Sequence, residues 1–262
     1  MRKDIPFRGV FFAYRKRCEL YCPIKLLNGD CLELMQDIPN GSIDMILCDL
    51  PYGMTDCKWD SIIPFDMLWE QYNRITKDNG AIVLFSAQPF TTKLIYSNLK
   101  HFKYCWYWKK RTATGFCFAK YQPMRVIEDI CAFYKKAPKY NPQGLRKLEK
   151  PRERNRVMQG DTIYRKGLTG EYTQQYTNYP KNILEFDKDT ERLHPTQKPV
   201  PLLEYLIKTY TDDGDTVLDN CMGSGSTGVA AANTNRRFIG MELTEHYYNI
   251  AKDRIHKASV MQ

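Results

Sequence analysis

Three apolar residues, Ile46-Leu47-Cys48, run into Asp49-Leu50-Pro51-Tyr52. A buried strand that stops on a carboxylate, a residue without an N–H donor and a flat ring offers an acceptor, a fixed turn and a π face within four positions. Such a set suits a pocket for a planar group that carries an amine. A second acid opens a glycine-rich stretch far downstream, Asp219-Asn-Cys-Met-Gly223-Ser224-Gly225-Ser-Thr227-Gly228. Glycines at 223, 225 and 228 let backbone come close to a ligand and let a helix pack on a strand. The next apolar run ends at Glu242, where a carboxylate can accept from two ribose hydroxyls. A tight structural turn is the competing reading of the glycines; strand, turn, helix and acid in register weigh against it.

The position of this loop bears on the ligand. In a dinucleotide enzyme the glycine turn lies near the start of the domain and cradles pyrophosphate. Here it lies near the end, behind Asp219, whose charge would repel phosphate but suits an ammonium or a sulfonium. S-adenosylmethionine fits better than NAD. Upstream, His194-Pro-Thr196-Gln-Lys198-Pro199 leads into a helix, whose free N–H groups attract a carboxylate. Thr196 and Lys198 are candidates for the amino-acid end of the cofactor, with a capped helix and a solvated lysine as the plainer alternative.

These residues must be held by a core, and 262 residues with 43% hydrophobic content can build one, with room for an insertion. No apolar run is long enough to span a bilayer, and the N-terminus lacks a signal-peptide pattern. Nine cysteines without a paired C-x-x-C point to reduced thiols, a cytoplasmic setting and no metal site. The charge is gathered rather than spread. Residues 2–25 carry seven Lys or Arg against two acids, residues 100–125 seven against none, and residues 139–166 nine against three. Aromatics interleave with the middle block, a mixture that suits a polyanion with exposed bases. Lys109, Lys110, Arg111, Lys120 and Arg125 are candidates for phosphate contacts, a solvated lysine being the alternative in each case.

Strand patterns at 25–27, 43–48, 81–86, 104–108, 127–134, 216–218 and 238–241 alternate with helical patterns at 32–38, 65–77, 90–99, 201–211, 227–233 and 245–257. This predicts an α/β fold with a mostly parallel sheet and helices on both faces. The pair near 104 and 127 lacks a clear intervening helix, which predicts an antiparallel edge. Residues 138–192, rich in Pro, Gly, Asn, Gln and charge, read as an inserted irregular segment.

In this order, DLPYG, HPTQKP, DNCMGSGSTG and, near the start, NGDCLELM resemble the motifs of the permuted, β-class amino-group DNA methyltransferases of the D-P-P-Y type. The resemblance spans about residues 24–135 and 194–257. It implies a Rossmann-like methyltransferase fold of seven strands, one of them antiparallel, with an inserted target-recognition region. The parts are then a basic extension (1–23), a catalytic half (24–137), a recognition region (138–192) and a cofactor half (193–262). It further implies methyl transfer from S-adenosylmethionine to double-stranded DNA, in a setting such as restriction-modification, and it allows a homodimer. Asp30 would bind the cofactor's adenine; Asp219, Gly223, Ser224, Gly225, Thr227 and Glu242 would line the rest of its site. Asp49, the Leu50 carbonyl, Pro51 and Tyr52 would receive a flipped-out base, with Trp59 either covering it or lying in the core. An acid at the first motif position is usual for adenine N6 and a serine for cytosine N4, so Asp49 favours adenine. A relative that keeps the fold and has lost the chemistry is the reading from another class. Two departures stand out: Leu50 replaces a proline, and Asn220-Cys221 replaces Pro-Phe.

Overall fold

The computed structural model describes residues 10–11, 24–53, 60–156, 170–189 and 193–260. Met1–Asn141 and Asn182–Gln262 belong to one compact unit and Pro142–Lys181 to another. In chain order the strands are β1 (Val10–Phe11), β2 (Ile24–Asn28), β3 (Ile43–Asp49), β4 (Thr76–Ser86), β5 (Phe102–Thr114), β6 (Arg125–Phe133), β7 (Arg146–Arg156), β8 (Gly170–Thr177), β9 (Ile183–Glu185), β10 (Thr216–Asp219) and β11 (Arg237–Glu242). The helices are α1 (Cys31–Met35), α2 (Phe65–Ile75), α3 (Phe90–Ser97), α4 (Val200–Tyr210), α5 (Ser226–Asn233) and α6 (Glu245–Val260).

The seven strands and six helices expected from the pattern are all present. They build one sheet in the order β1-β2-β11-β10-β3-β4-β6-β5-β9. Strands β2, β11, β10, β3 and β4 run parallel, whereas β6 is antiparallel to both its neighbours. The sheet therefore has nine described strands rather than seven. Two-residue β1 and three-residue β9 extend its edges, and both are too short to show a period of two.

Residue parity on the strands assigns the core. On β3, Met45 and Leu47 pack in the layer of α4, α5 and α6, while Ile46 and Cys48 pack in the layer of α1, α2 and α3. Val83 and Phe85 against Ile82 and Leu84 repeat the split on β4. Every parallel strand is thus apolar on both faces, as a sheet covered on both sides requires. In α6, Tyr248, Ala251 and Ile255 form the buried stripe.

The second unit, where the sequence shows no periodicity, holds an antiparallel ribbon of β7 and β8. Its register shifts between Lys147 and Arg152, and Asn178 Nδ2 donates to the Gly144 carbonyl at 2.7 Å. The reason for the missing pattern is composition: β7 reads RKLEKPRERNR, with no apolar alternation to detect.

Candidate active site

The sequence-predicted residues converge where open α/β sheets place ligands, at the carboxyl ends of the parallel strands beside the switch in strand order. That switch falls between β10 and β3, where Leu218 pairs with Ile46. Asp30 follows β2, Asp49 ends β3, Asp219 ends β10 and Glu242 ends β11. Together with Tyr52, Thr196, Lys198, Gly223 and Thr227, these residues line one cavity of about 480 Å³.

Asp49 shares the parity of Met45 and Leu47, so its carboxylate points to the α4 side. There it meets the segment that enters α4. Lys198 Nζ donates to Asp49 Oδ2 at 2.6 Å, and the Tyr52 hydroxyl donates to Asp49 Oδ1 at 2.7 Å. Each carboxylate oxygen accepts two hydrogen bonds, so each keeps one position for an incoming N–H. Lys198 Nζ also lies 3.4 Å from Glu128 Oε2, and the other Glu128 oxygen pairs with Lys110. The result is a chain of alternating charge, Lys110, Glu128, Lys198 and Asp49, with both lysines buried and both acids half-buried. Burial works against the Lys198 charge, but Asp49 and Glu128 outweigh it and raise the ammonium's pKa. Burial likewise opposes the charge on Glu128, and Lys198 and Lys110 overcome it, so its pKa is lowered.

The turn after Asp49 is pinned from below. Asp60 Oδ1 accepts from the backbone N–H groups of Tyr52 and Gly53 at 2.7 and 2.9 Å. The Tyr52 ring lies 4.9 Å from that of Phe90, tilted by 30°. Burial, and then the Asp49 charge, push the Tyr52 hydroxyl well above its usual pKa, so it remains a donor. The Leu50 side chain is buried in the core, which leaves its backbone carbonyl as the group it can present. Trp59 lies outside the described residues.

The glycine loop lines the same cavity. Gly225 takes φ +81°, and a Cβ there would meet the Ala251 Cβ at 2.8 Å, so a side chain would force α6 away from α5. Asp219 is 3% exposed and accepts from the Cys221 N–H at 3.1 Å. Among the described residues no cationic side chain pairs with it, and burial pushes its pKa up to about 6. Glu242 takes the Gly223 N–H on Oε2 and the Thr244 N–H on Oε1, each at 2.9 Å. This carboxylate lines the cavity at the end of β11, where a ribose diol can meet it. Burial raises the Glu242 pKa as well. Asp30 caps α1 through Oδ1, 2.7 Å from the Leu32 N–H. Thr196 Oγ1 lies 3.0 Å from His194 Nδ1, and Ser224 Oγ donates to Gln197 Oε1 at 3.3 Å. A buried acid without a counter-ion, beside a two-pronged acceptor, fits a cofactor that carries a cation and a ribose.

Of the phosphate candidates, Lys109, Arg111, Lys120 and Arg125 are exposed, and Arg125 also lines the cavity. Lys110 is a correction. It is 7% exposed, because it shares the inward parity of Trp106 and Trp108, and its ammonium is taken by Glu128. Glu128 and Asp60 are site residues that the sequence reading misses. The spacing of Trp106, Trp108 and Lys110 at every second residue was the available signal for the buried lysine; nothing comparable marks Asp60.

A family model described as DNA methylase, N6_N4_Mtase, matches residues 43–253. The chain belongs to that family. As a DNA methylase of the amino-group type, it is an S-adenosylmethionine-dependent DNA methyltransferase. The DNA adenine methyltransferase YhdJ of Escherichia coli is 28% identical over 253 residues, covering 89% of this chain and 83% of its own. Type II methyltransferase M.HpaI of Haemophilus parainfluenzae is 26% identical, covering 88% and 74%. Among solved structures, the cytosine-N4-specific PvuII DNA methyltransferase superposes with a TM-score of 0.67 at 17% identity, covering 91% and 90%. The M1.HpyAVI–SAM complex gives 0.60 at 24% identity, covering 88% and 99%. At these identities the superpositions speak for the fold.

Proposed function

We propose that this methylase is of the permuted β class and methylates the exocyclic N6 amine of adenine in double-stranded DNA, after flipping the base into the cavity. The observation that carries the reading is Asp49, a carboxylate held by Tyr52 and Lys198 in the cavity that Asp219 and Glu242 also line. The permuted class rests on chain order: the Asp49–Tyr52 turn precedes the glycine loop.

The amine of a nucleobase is a poor nucleophile because its lone pair is delocalised into the ring. An N–H donated to Asp49 and another to the Leu50 carbonyl pull the nitrogen towards tetrahedral geometry and free that pair. The Asp60 contacts keep these acceptors in place before the base arrives, so little reorganisation is left for the reaction itself. Tyr52 supplies a ring against which the base stacks, worth about 1–3 kcal/mol. When bound, S-adenosylmethionine supplies an electrophilic methyl on a sulfonium. Asp219 would hold its cationic end, Glu242 its ribose, and Asp30 its adenine. As the nitrogen gains the methyl, the C–S bonding pair leaves with the neutral thioether; the nitrogen, now cationic with two protons, gives one of them to Asp49 and keeps the other.

Exposed Lys109, Arg111, Lys120 and Arg125 are proposed to contact phosphate, and the unit Pro142–Lys181 to read the target sequence. The test is transfer of labelled methyl groups to unmethylated genomic DNA, followed by digestion to nucleosides. N6-methyladenine is the expected product. N4-methylcytosine would keep the mechanism and overturn the base assignment.

A further inference from the structure

The loop closing the β5–β6 hairpin carries three aromatic rings that the active site does not use. Phe116 is 80% exposed, Phe118 56% and Tyr121 87%. Large rings held in water on a well-packed domain mark a surface that meets something else. The loop is also firmly shaped. Gly115 adopts φ +91°, a 3₁₀ turn covers Phe116–Phe118, and the Tyr121 and Gln122 N–H groups donate to the Phe118 carbonyl at 2.9 and 3.0 Å. The stem ends where Thr114 pairs with Arg125, and Arg125 lines the cavity that holds Asp49 and Tyr52. Residues 109–127 contain no carboxylate.

We propose that this loop is a base-flipping wedge, in which Phe116, Phe118 and Tyr121 enter the duplex beside the target and fill the gap left by the extruded base. The inference rests on the proposed function and deepens it. A hydrogen-bonded turn that carries exposed rings and cations, on a stem whose Arg125 lines the cavity, matches how proteins unstack DNA: phosphates are gripped while apolar wedges part the bases. The partner is double-stranded DNA rather than a second copy of the chain, because Lys120 and Arg125 flank the rings and residues 109–127 hold no carboxylate to offset them.

The test compares two duplexes that contain the site mapped from methylated DNA, one fully paired and one with an abasic position opposite the target. The variants are Phe116→Ala/Phe118→Ala and Tyr121→Ala, with Tyr121→Trp as the conservative control. On the paired duplex the alanine variants should lose about 10- to 100-fold in kcat/KM, the scale of one or two stacking contacts. On the abasic duplex, where extrusion is nearly free, the deficit should shrink to a few-fold, and Tyr121→Trp should behave as wild type on both. Equal loss on both duplexes would overturn the wedge in favour of a plain DNA-docking surface. Loss accompanied by dissociation of a dimer in light scattering would overturn it in favour of a self-association face. A wild type that methylates neither duplex would overturn the proposed function, and the wedge with it.

Discussion

Asp49 and Asp219 end neighbouring parallel strands and face the same cavity, yet their surroundings are opposite. Asp49 has Lys198 on one oxygen and Tyr52 on the other, and Glu128 and Lys110 continue the chain of charge behind it. Asp219 is more deeply buried and has hydrogen-bond donors but no counter-ion among the described residues, and its pKa rises to about 6. One carboxylate is a finished acceptor in the ligand-free protein. The other is a buried acid whose charge no described cationic side chain offsets. Under the proposed function the first serves catalysis and the second cofactor capture, and each role can be broken separately.

The largest effect belongs to Asp49. Asp49→Ala should lower the transfer rate by about 10²–10⁴-fold, the span of a positioned proton acceptor, while a cofactor titration reads a Kd close to wild type. Next is Lys198. Lys198→Met leaves Asp49 and Glu128 facing each other in a buried site, at a cost of ~3–5 kcal/mol. Calorimetry should record a Tm lower by about 10 °C, and adding Glu128→Gln should recover part of it. A single variant as stable as wild type would show that the charge chain carries no weight.

Asp219 supplies a prediction with a sign. Its carboxyl holds a proton up to about pH 6 in the folded chain, against 3.8 for the unconstrained group. This group favours folding below the lower value, and the contribution is lost as pH rises through about 6; the difference is ~3 kcal/mol. Asp219→Asn should therefore leave the ligand-free protein at pH 8 at least as stable as wild type, yet weaken cofactor binding by about 30-fold or more. In wild type the cofactor Kd should weaken as pH falls below about 6, because the cation needs the ionised acid; in Asp219→Asn that dependence should flatten. The smallest effect is at Glu242. Glu242→Gln trades one acceptor for a donor and should raise the cofactor Kd about tenfold, near 1.4 kcal/mol.

Much of this was legible in the residues. Near-continuous apolar runs at 43–48 and 81–86 follow from a sheet covered on both faces, and the acids at 49, 219 and 242 stand where apolar runs stop, so strand ends and site coincide. Strand β9 was hidden by its length of three residues, and the ribbon β7–β8 by a composition that lacks an apolar face. Lys110 shows the limit of reading charge as surface. Its sign resembled that of its neighbours, but its parity followed Trp106 and Trp108 into the core. The role of Glu128 depends on a strand pairing, Trp108 with Glu128, that local pattern does not contain.

The division of labour between Asp49 and Asp219 is tested most directly by single-turnover methyl transfer to DNA as a function of cofactor concentration, run for Asp49→Asn and Asp219→Asn beside wild type. The account predicts that Asp49→Asn loses the plateau rate and keeps the half-saturating concentration. Asp219→Asn should shift the half-saturating concentration upward and recover most of the plateau. A lost plateau in Asp219→Asn, or a preserved one in Asp49→Asn, would contradict it.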